Sequence, residues 1–401
     1  MLQPVVHPWP LRLLNALGGA LRTAGLRLPP LDPEHLKARA AREEGLSDFG
    51  EPDFEEGLAV LCASAERDAN LLLTGRLLYR QQITNALLTR LRRIEARKRR
   101  PEAFRTPLVP PLIVLGLPRS GTTLLHRMLS LARDARAPAL WEMQQPIAGA
   151  GCEDRREMSL REIAKLKKAA PDIDAKHHVD PDEPEEDFFL FDSSFWSFSF
   201  WVMAPVYGYL EWHLGHDPRP GYRVYLEHLR LFQHESPGKR LTLKAPAHTA
   251  YVDTLLETIP DAMIVQTHRD PVKITSSINS LMYTLHSYLT GDLDIRRDAA
   301  VNTNLYVHAI ERNIAARASI PEGQILDIRY AELTADPVAT VRKIYDHFGL
   351  AFDSGFEPRL RAWMAECPQE RFGKHEYAAE DFGMTDAQIA ERFKDYTSRF
   401  L

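Results

Sequence analysis

The chain has 401 residues, 44% of them hydrophobic and 26% charged, the balance of a soluble globular protein able to bury a large core and carry an appendage. Its formal charge of -5 supplies no electrostatic footprint for nucleic acid, and no such partner is expected. Three widely spaced cysteines, Cys62, Cys152 and Cys367, match neither a metal spacing nor a disulfide framework, so a reducing, cytoplasmic setting is expected.

The opening residues MLQPVVHPWPLRLLNALGGALRTAGL lack a basic stretch ahead of an apolar core, and Arg12 interrupts the one candidate run, so no signal peptide is expected. Residues 31 to 100 read as helical, with Leu73, Leu77, Leu78, Leu87, Leu88, Leu91 and Ile94 forming an apolar stripe. The end of that segment is basic: Arg90, Arg92, Arg93, Arg97, Lys98, Arg99 and Arg100 against Glu95. It reads as a solvated helix terminus matched to the dipole, with an anion-binding surface as the other reading. Pro107, Pro110 and Pro111 stop the helix, which divides the chain into a helical extension over 1–106 and a second domain over 107–401.

From residue 112 the pattern changes. LIVLGL reads as a buried parallel strand and TTLLHRMLSLA as the helix after it. AMIVQTHRD at 262–270 and GQILDIRY at 323–330 repeat the event, each followed by a helical run. This recurrence predicts an α/β fold, a P-loop-type parallel sheet flanked by helices. The stretch 150–240 reads as helical insertions that form the acceptor site. Within it, FFLFDSSFWSFSFWVMAPVYGYL at 188–210 is apolar and aromatic, but Asp192, four serines and Pro205 argue against a transmembrane span. That run reads as buried or pocket-lining and leaves room for weak association with a membrane surface.

Gly116-Leu-Pro-Arg-Ser-Gly121-Thr122-Thr123 places two glycines five apart at the opening of a helix. Backbone N–H groups there can surround an anion, and Thr122 and Thr123 can donate hydroxyl hydrogens to it. The usual nucleotide triphosphate loop has a lysine where Thr122 stands, and only Asp270 is on hand for a magnesium role. PRSGTTLL resembles the 5′-phosphosulfate loop of PAPS-dependent sulfotransferases, in the arginine-bearing form of bacterial, carbohydrate and tyrosylprotein members. THRDPVKITSSINSL resembles their 3′-phosphate segment, with Arg269 and, eight residues on, Ser277 in the binding places. RYAELTADP resembles their Y-E-D-L segment with Tyr330 as the tyrosine, although Ala331 replaces the commoner acidic residue. GKHEYAAEDFGMTDAQIAERFKDY resembles the C-terminal region of the broad bacterial branch, so the likeness runs from about 110 to 401.

The resemblance implies 3′-phosphoadenylyl sulfate (PAPS) as sulfuryl donor, with no metal. Pro118, Arg119, Ser120, Gly121, Thr122 and Thr123 would surround the phosphosulfate, Arg269 and Ser277 would hold the 3′-phosphate, and Tyr330 joins the donor-binding set. Arginine's planar fork engages two oxygens together, which suits charge developing on a leaving phosphate. The base in this family is a histidine, or a glutamate some twenty to thirty residues past the loop. Glu142, in PALWEMQQP, stands 23 residues beyond Arg119, where the next short strand should end, and Trp141 beside it can raise its pKa. A cap or salt bridge is the structural alternative for Glu142. Lys244, in LTLKAPAH and 25 residues before Arg269, is the second catalytic candidate, or else a charge ending a strand. His248, four residues on, can meet Lys244 on one helical face; His248, His177 and His178 are competing bases. Asp180, Asp182, Glu183, Glu185, Glu186 and Asp187 read as a solvated acidic loop from which one carboxylate could orient an acceptor.

These residues predict in-line sulfuryl transfer to a hydroxyl. The aromatic run favours an apolar or amphipathic acceptor (a phenol, a sterol-like molecule or a lipid), with glycans stacking on aromatics as the other class. Two further readings are a magnesium-dependent P-loop kinase and a silent nucleotide-responsive protein that recruits a partner. Oligomerisation is left open.

Overall fold

The computed structural model of the chain describes residues 7–149, 154–169, 180–366 and 378–401. Five parallel strands form one sheet: β1 (Leu112–Gly116), β2 (Ala135–Arg136), β3 (Arg240–Lys244), β4 (Met263–His268) and β5 (Ile325–Arg329). Their order is β2-β3-β1-β4-β5. All of β1 is buried, because helices cover both faces of the sheet. Ile113 and Leu115 enter a core with Tyr225, Leu229 and Phe232. Leu112 and Val114 point the other way, into a core with Leu125, Val341 and Ile344.

The register sets the site. Val114 lies beside Lys244 on β3, and Gly116 lies beside Thr267 on β4. From β1 the chain passes to β2 and β3 on one side, then crosses to β4 and β5 on the other. Such a reversal opens a crevice beyond the carboxyl ends of the central strands.

The N-terminal extension contains α1 (Trp9–Thr23), α2 (Pro33–Glu44), α3 (Glu55–Arg67) and α4 (Leu73–Arg99). Leu58, Leu61 and Leu87 share a core with Phe195, Phe200 and Tyr209 of the aromatic run. Tyr79 Oη donates to the carbonyl of Phe200 at 3.1 Å, tying α4 to that run. The basic end of α4 is the solvated terminus the sequence suggested only over Lys98, Arg99 and Arg100; Arg90 and Arg93, earlier in the run, are buried. Arg90 is fully buried and donates to the carbonyls of Phe49 (2.7 Å) and Ser193 (3.1 Å) and to Asp53 Oδ1 (2.9 Å). Burial, with Arg93 nearby, pulls its pKa down to about 10, so it stays charged at neutral pH. Arg93 pairs with Glu227, and Arg97 with Glu227 and Glu51. Guanidinium donors buried this way satisfy carbonyls that the surrounding loops leave unpaired.

The segment 188–210 is interior, as its composition predicted: Phe191, Phe195, Trp196, Phe200 and Trp201 are all buried. Among the described residues no helix is long and apolar enough to cross a membrane.

Candidate active site

At the end of β1 the chain must pass close under β4. A Cβ on Gly116 would stand 2.5 Å from the carbonyl oxygen of Thr267, so only glycine fits without a backbone shift. Three and five residues later the loop takes left-handed conformations, at Arg119 (φ 67°) and Gly121 (φ 93°). A non-glycine residue there stores about 1–3 kcal/mol of strain, which the surrounding contacts must hold. Alternation of this kind turns successive N–H groups toward a common point and makes an anion-binding nest. Helix α5 (Thr122–Leu129) starts directly after it with no side-chain cap, leaving its first-turn N–H groups and positive dipole end for a ligand. This is the chemistry a phosphosulfate needs.

Not every loop residue faces that point. Ser120 is buried; its Oγ donates to the carbonyl of Leu117 (2.5 Å) and pairs with Thr267 Oγ1 (2.6 Å). Its own N–H also returns to Leu117. Ser120 therefore stiffens the turn, with its side chain and N–H directed at Leu117 and Thr267. Thr122 is buried at the helix start, Thr123 is exposed, and Pro118 borders the neighbouring cavity.

The second donor segment comes to the same place. Arg269, just past β4, donates from Nη1 to the carbonyl of Arg119 at 2.8 Å and lies 3.9 Å above the ring of Tyr330. The loop packs against that ring: a Cβ on Gly121 would meet Tyr330 at 3.0 Å. Ser277 sits half-buried on the helix Pro271–Leu289. Asp270 N-caps that helix, accepting from Val272 N–H at 3.0 Å, which gives it a structural task in place of magnesium ligation. Arg119, Gly121, Arg269 and Tyr330, four positions from three separate motifs, are thus brought together.

Beside the loop lies a cavity of about 350 Å³. Leu117 and Pro118 form its wall toward the loop; Phe188, Phe189, Phe198, Met282 and Leu285 make much of the rest. Leu78, Gln81 and Gln82 of α4 also line it, so the N-terminal extension contributes to this site.

Lys244 ends β3 fully buried. Its Nζ donates to Glu186 Oε1 at 2.9 Å and to Glu185 Oε1 at 3.2 Å, both cavity-lining residues. Burial disfavours the ammonium, but Glu186 and Glu185 outweigh it and hold its pKa above the ordinary value. His248 also borders the cavity, yet both its nitrogens are engaged, Nδ1 with Tyr222 Oη (2.9 Å) and Nε2 with Asp187 Oδ1 (3.1 Å). Tyr225 Oη donates to the other oxygen of Asp187 at 2.8 Å. Burial opposes the Asp187 charge, but His248 and Tyr225 more than offset it and keep the carboxyl below its usual range. The expected helical face shared by Lys244 and His248 does not form, because Lys244 closes a strand and His248 sits on the short turn Pro246–Tyr251.

Glu142 is placed otherwise than expected. It lies within helix α6 (Leu140–Gln144), not at a strand end; the short strand is β2. Its Oε2 accepts from Arg136 Nη1 (3.0 Å) and from the Ala139 N–H (2.8 Å), and its Oε1 accepts from Arg136 Nη2. The salt bridge and cap that competed with catalysis are what the side chain makes. His177 and His178 fall outside the described residues.

What the sequence reading missed is the inward half of the acidic segment. Asp182 pairs with Arg156 and Glu183 with Arg127, but Glu185 and Asp187 are buried, and Glu186 reaches Lys244. The signal was available: three carboxylates directly precede FFLF, and an apolar run that enters the core carries its neighbours inward. Asp192, on the same wall, accepts from Ser197 (2.5 Å) and Ser199 (2.6 Å), and burial lifts its pKa to about 7.

Comparison with known proteins agrees with this geometry. Residues 110–354 match the family model described as the sulfotransferase family. The crystal structure of sulfotransferase STF9 from Mycobacterium avium superposes with a TM-score of 0.83 at 28% identity, covering 92% of this chain and 96% of that one. Sulfotransferase STF1 from Mycobacterium tuberculosis H37Rv gives 0.76 at 30% identity, covering 90% and 98%. Among curated proteins, omega-hydroxy-beta-dihydromenaquinone-9 sulfotransferase Stf3 of Mycobacterium bovis is 24% identical over 316 residues, which is 72% of this chain and 75% of that protein.

Proposed function

Because this chain belongs to the PAPS-dependent sulfotransferase family, we propose that it sulfates the hydroxyl of an apolar, lipid-like alcohol. The observation that carries this reading is the aromatic cavity of about 350 Å³ whose wall is the anion-binding loop itself, at Leu117 and Pro118. An acceptor held there by apolar burial presents its hydroxyl beside the loop. The name of the curated relative, which specifies an omega-hydroxylated dihydromenaquinone, supports an acceptor of that general kind.

When bound, PAPS supplies the sulfuryl group: the acceptor oxygen bonds to sulfur, the sulfur–oxygen bond to phosphate breaks, and 3′,5′-adenosine bisphosphate departs. The loop N–H groups with Arg119, Thr122 and Thr123 hold the phosphosulfate end, while Arg269 and Ser277, with Tyr330 backing the guanidinium, hold the 3′-phosphate. Lys244 stabilises charge that grows on the bridging oxygen. Glu186 takes the hydroxyl proton, since it lines the cavity and its side chain keeps 22% exposure. Glu185 holds Lys244 in place. His248, closed by its own partners, shapes the cavity wall, and Glu142, paired with Arg136 and the Ala139 N–H, fixes the start of α6.

The test is transfer of labelled sulfate from PAPS to a panel of alcohols, sugars and phenols without added metal. Transfer to long-chain alcohols in preference to sugars is expected. Phosphoryl transfer from ATP with magnesium, and none from PAPS, would reject the reading.

A further inference from the structure

Helix α1 turns Leu11, Leu14, Gly18 and Leu21, all half-buried, toward the protein around one buried polar residue. Asn15 is buried and accepts from the N–H (3.0 Å) and hydroxyl (2.9 Å) of Thr74 on α4. Gly18 sits on Leu73, where a Cβ would come within 2.5 Å. The opposite face carries Trp9, Leu13 and Leu17, spaced four residues apart and 70%, 68% and 56% exposed. Among the described residues the other exposed large apolar side chains are Leu26, Leu28, Leu77 and the terminal Leu401. Six of the seven therefore lie on α1, on the turn after it, or on the adjoining part of α4. Scattered apolar residues need no explanation, but this concentration does.

Charge says what covers the patch. The chain has 55 acidic residues, yet none occurs before Asp32. Over the same stretch stand Arg12, Arg22 and Arg27. Arg12 is exposed on α1, Arg22 reaches Asn70, and Arg27 meets Glu66. Trp and Leu on one face of a helix, basic residues around them and no acidic residue match an interfacial helix on an anionic bilayer. In a chain of net charge -5, a locally basic apolar surface is a device and not a consequence of composition.

We infer that α1, with Leu26, Leu28 and Leu77, docks the enzyme on an anionic lipid surface. Leu77 belongs to the exposed patch, and Leu78, the next residue on α4, lines the acceptor cavity. Docking therefore sets the cavity next to the phase in which an apolar alcohol resides, and Arg12 is free to snorkel toward the headgroups. The purpose assigned to docking rests on the proposed acceptor class; the docking itself does not.

The experiment is flotation of the full chain with vesicles of phosphatidylglycerol and phosphatidylcholine in equal parts, and with phosphatidylcholine alone. The native chain should float with the anionic vesicles and release in high salt. Leu13→Glu/Leu17→Glu, altered only at exposed positions, should keep its melting temperature and its turnover of a short soluble alcohol. Its vesicle binding should fall by about tenfold or more. Absence of native flotation, or equal flotation of native and variant chains, overturns the inference. So does a native dimer that the double substitution splits, because the face would then cover a second copy of the chain. Flotation without transfer to any alcohol would refute the acceptor reading and leave docking standing.

Discussion

The turn after β1 draws its chemistry from eight consecutive residues, Gly116 to Thr123, whereas the cavity beside it is assembled from side chains between Leu78 and Ala309. The turn works through backbone: two left-handed residues, an uncapped helix start and a glycine that lets β4 pass at close range. The cavity works through side chains, and ionisable groups on its wall are tied to buried ones behind it, Glu185 and Glu186 to Lys244 and His248 to Asp187. A site for a fixed anionic donor can be local and rigid. A site for a variable apolar acceptor needs long-range packing, and each of its buried charges needs a partner.

The largest expected effect separates these two regions. Glu186→Gln should lower turnover by about 10²–10⁴-fold, the scale of positioned acid–base catalysis, with the affinity for 3′,5′-adenosine bisphosphate unchanged. Glu142→Gln weakens the pair with Arg136 and should act on thermal stability more than on turnover. If the Glu142 variant loses the rate and the Glu186 variant keeps it, the base lies on α6 and the comparison breaks.

Arg90→Met tests whether the acceptor half depends on the N-terminal extension. Removing a fully buried guanidinium that serves three carbonyls and Asp53 should cost about 3–5 kcal/mol, read by urea unfolding. A stability loss below about 1 kcal/mol would mean that the extension is held by other contacts.

Arg269→Ala removes one charge-assisted phosphate contact and the lid on Tyr330. Calorimetry should show 3′,5′-adenosine bisphosphate binding weakened by about ten- to hundredfold, from a loss near 1.5–3 kcal/mol. Unchanged affinity would place the 3′-phosphate elsewhere.

How legible each region was follows from the same contrast. The loop, Arg269 and Tyr330 lie in short contiguous motifs, and the parallel strands announce themselves as apolar runs because both faces are covered. The pairing of Lys244 with Glu186 was not readable, since 58 residues separate them and only the sheet register brings β3 to that wall. Glu142 stands at a sequence distance from Arg119 that suits a base, while Arg136, six residues before it, is a local partner that engages both oxygens, the salt bridge that the sequence also allowed. At the basic end of α4 the reading holds for exposed Arg99 and fails for buried Arg90, because composition does not distinguish them.

The smallest effect is a pH dependence. Burial raises the Asp192 pKa to about 7, so the folded chain retains a proton that the unfolded chain has released above pH ~4. This contribution is fully present below the unfolded pKa and is lost as pH rises through about 7. Asp192→Asn, which keeps an acceptor for Ser197 and Ser199, should show a smaller fall in unfolding free energy between pH 5 and pH 8 than the natural chain. An identical fall in both would remove Asp192 from the titration.

The most direct measurement is the rate of sulfate transfer to a homologous series of primary alcohols at saturating PAPS. Each methylene buried against Phe188, Phe189 and Phe198 contributes about 0.8 kcal/mol, so kcat/KM should climb about fourfold per carbon until the cavity of about 350 Å³ is filled, then level off. A profile flat from the shortest alcohol onward, with sugars turned over as fast, would contradict an apolar acceptor at this cavity.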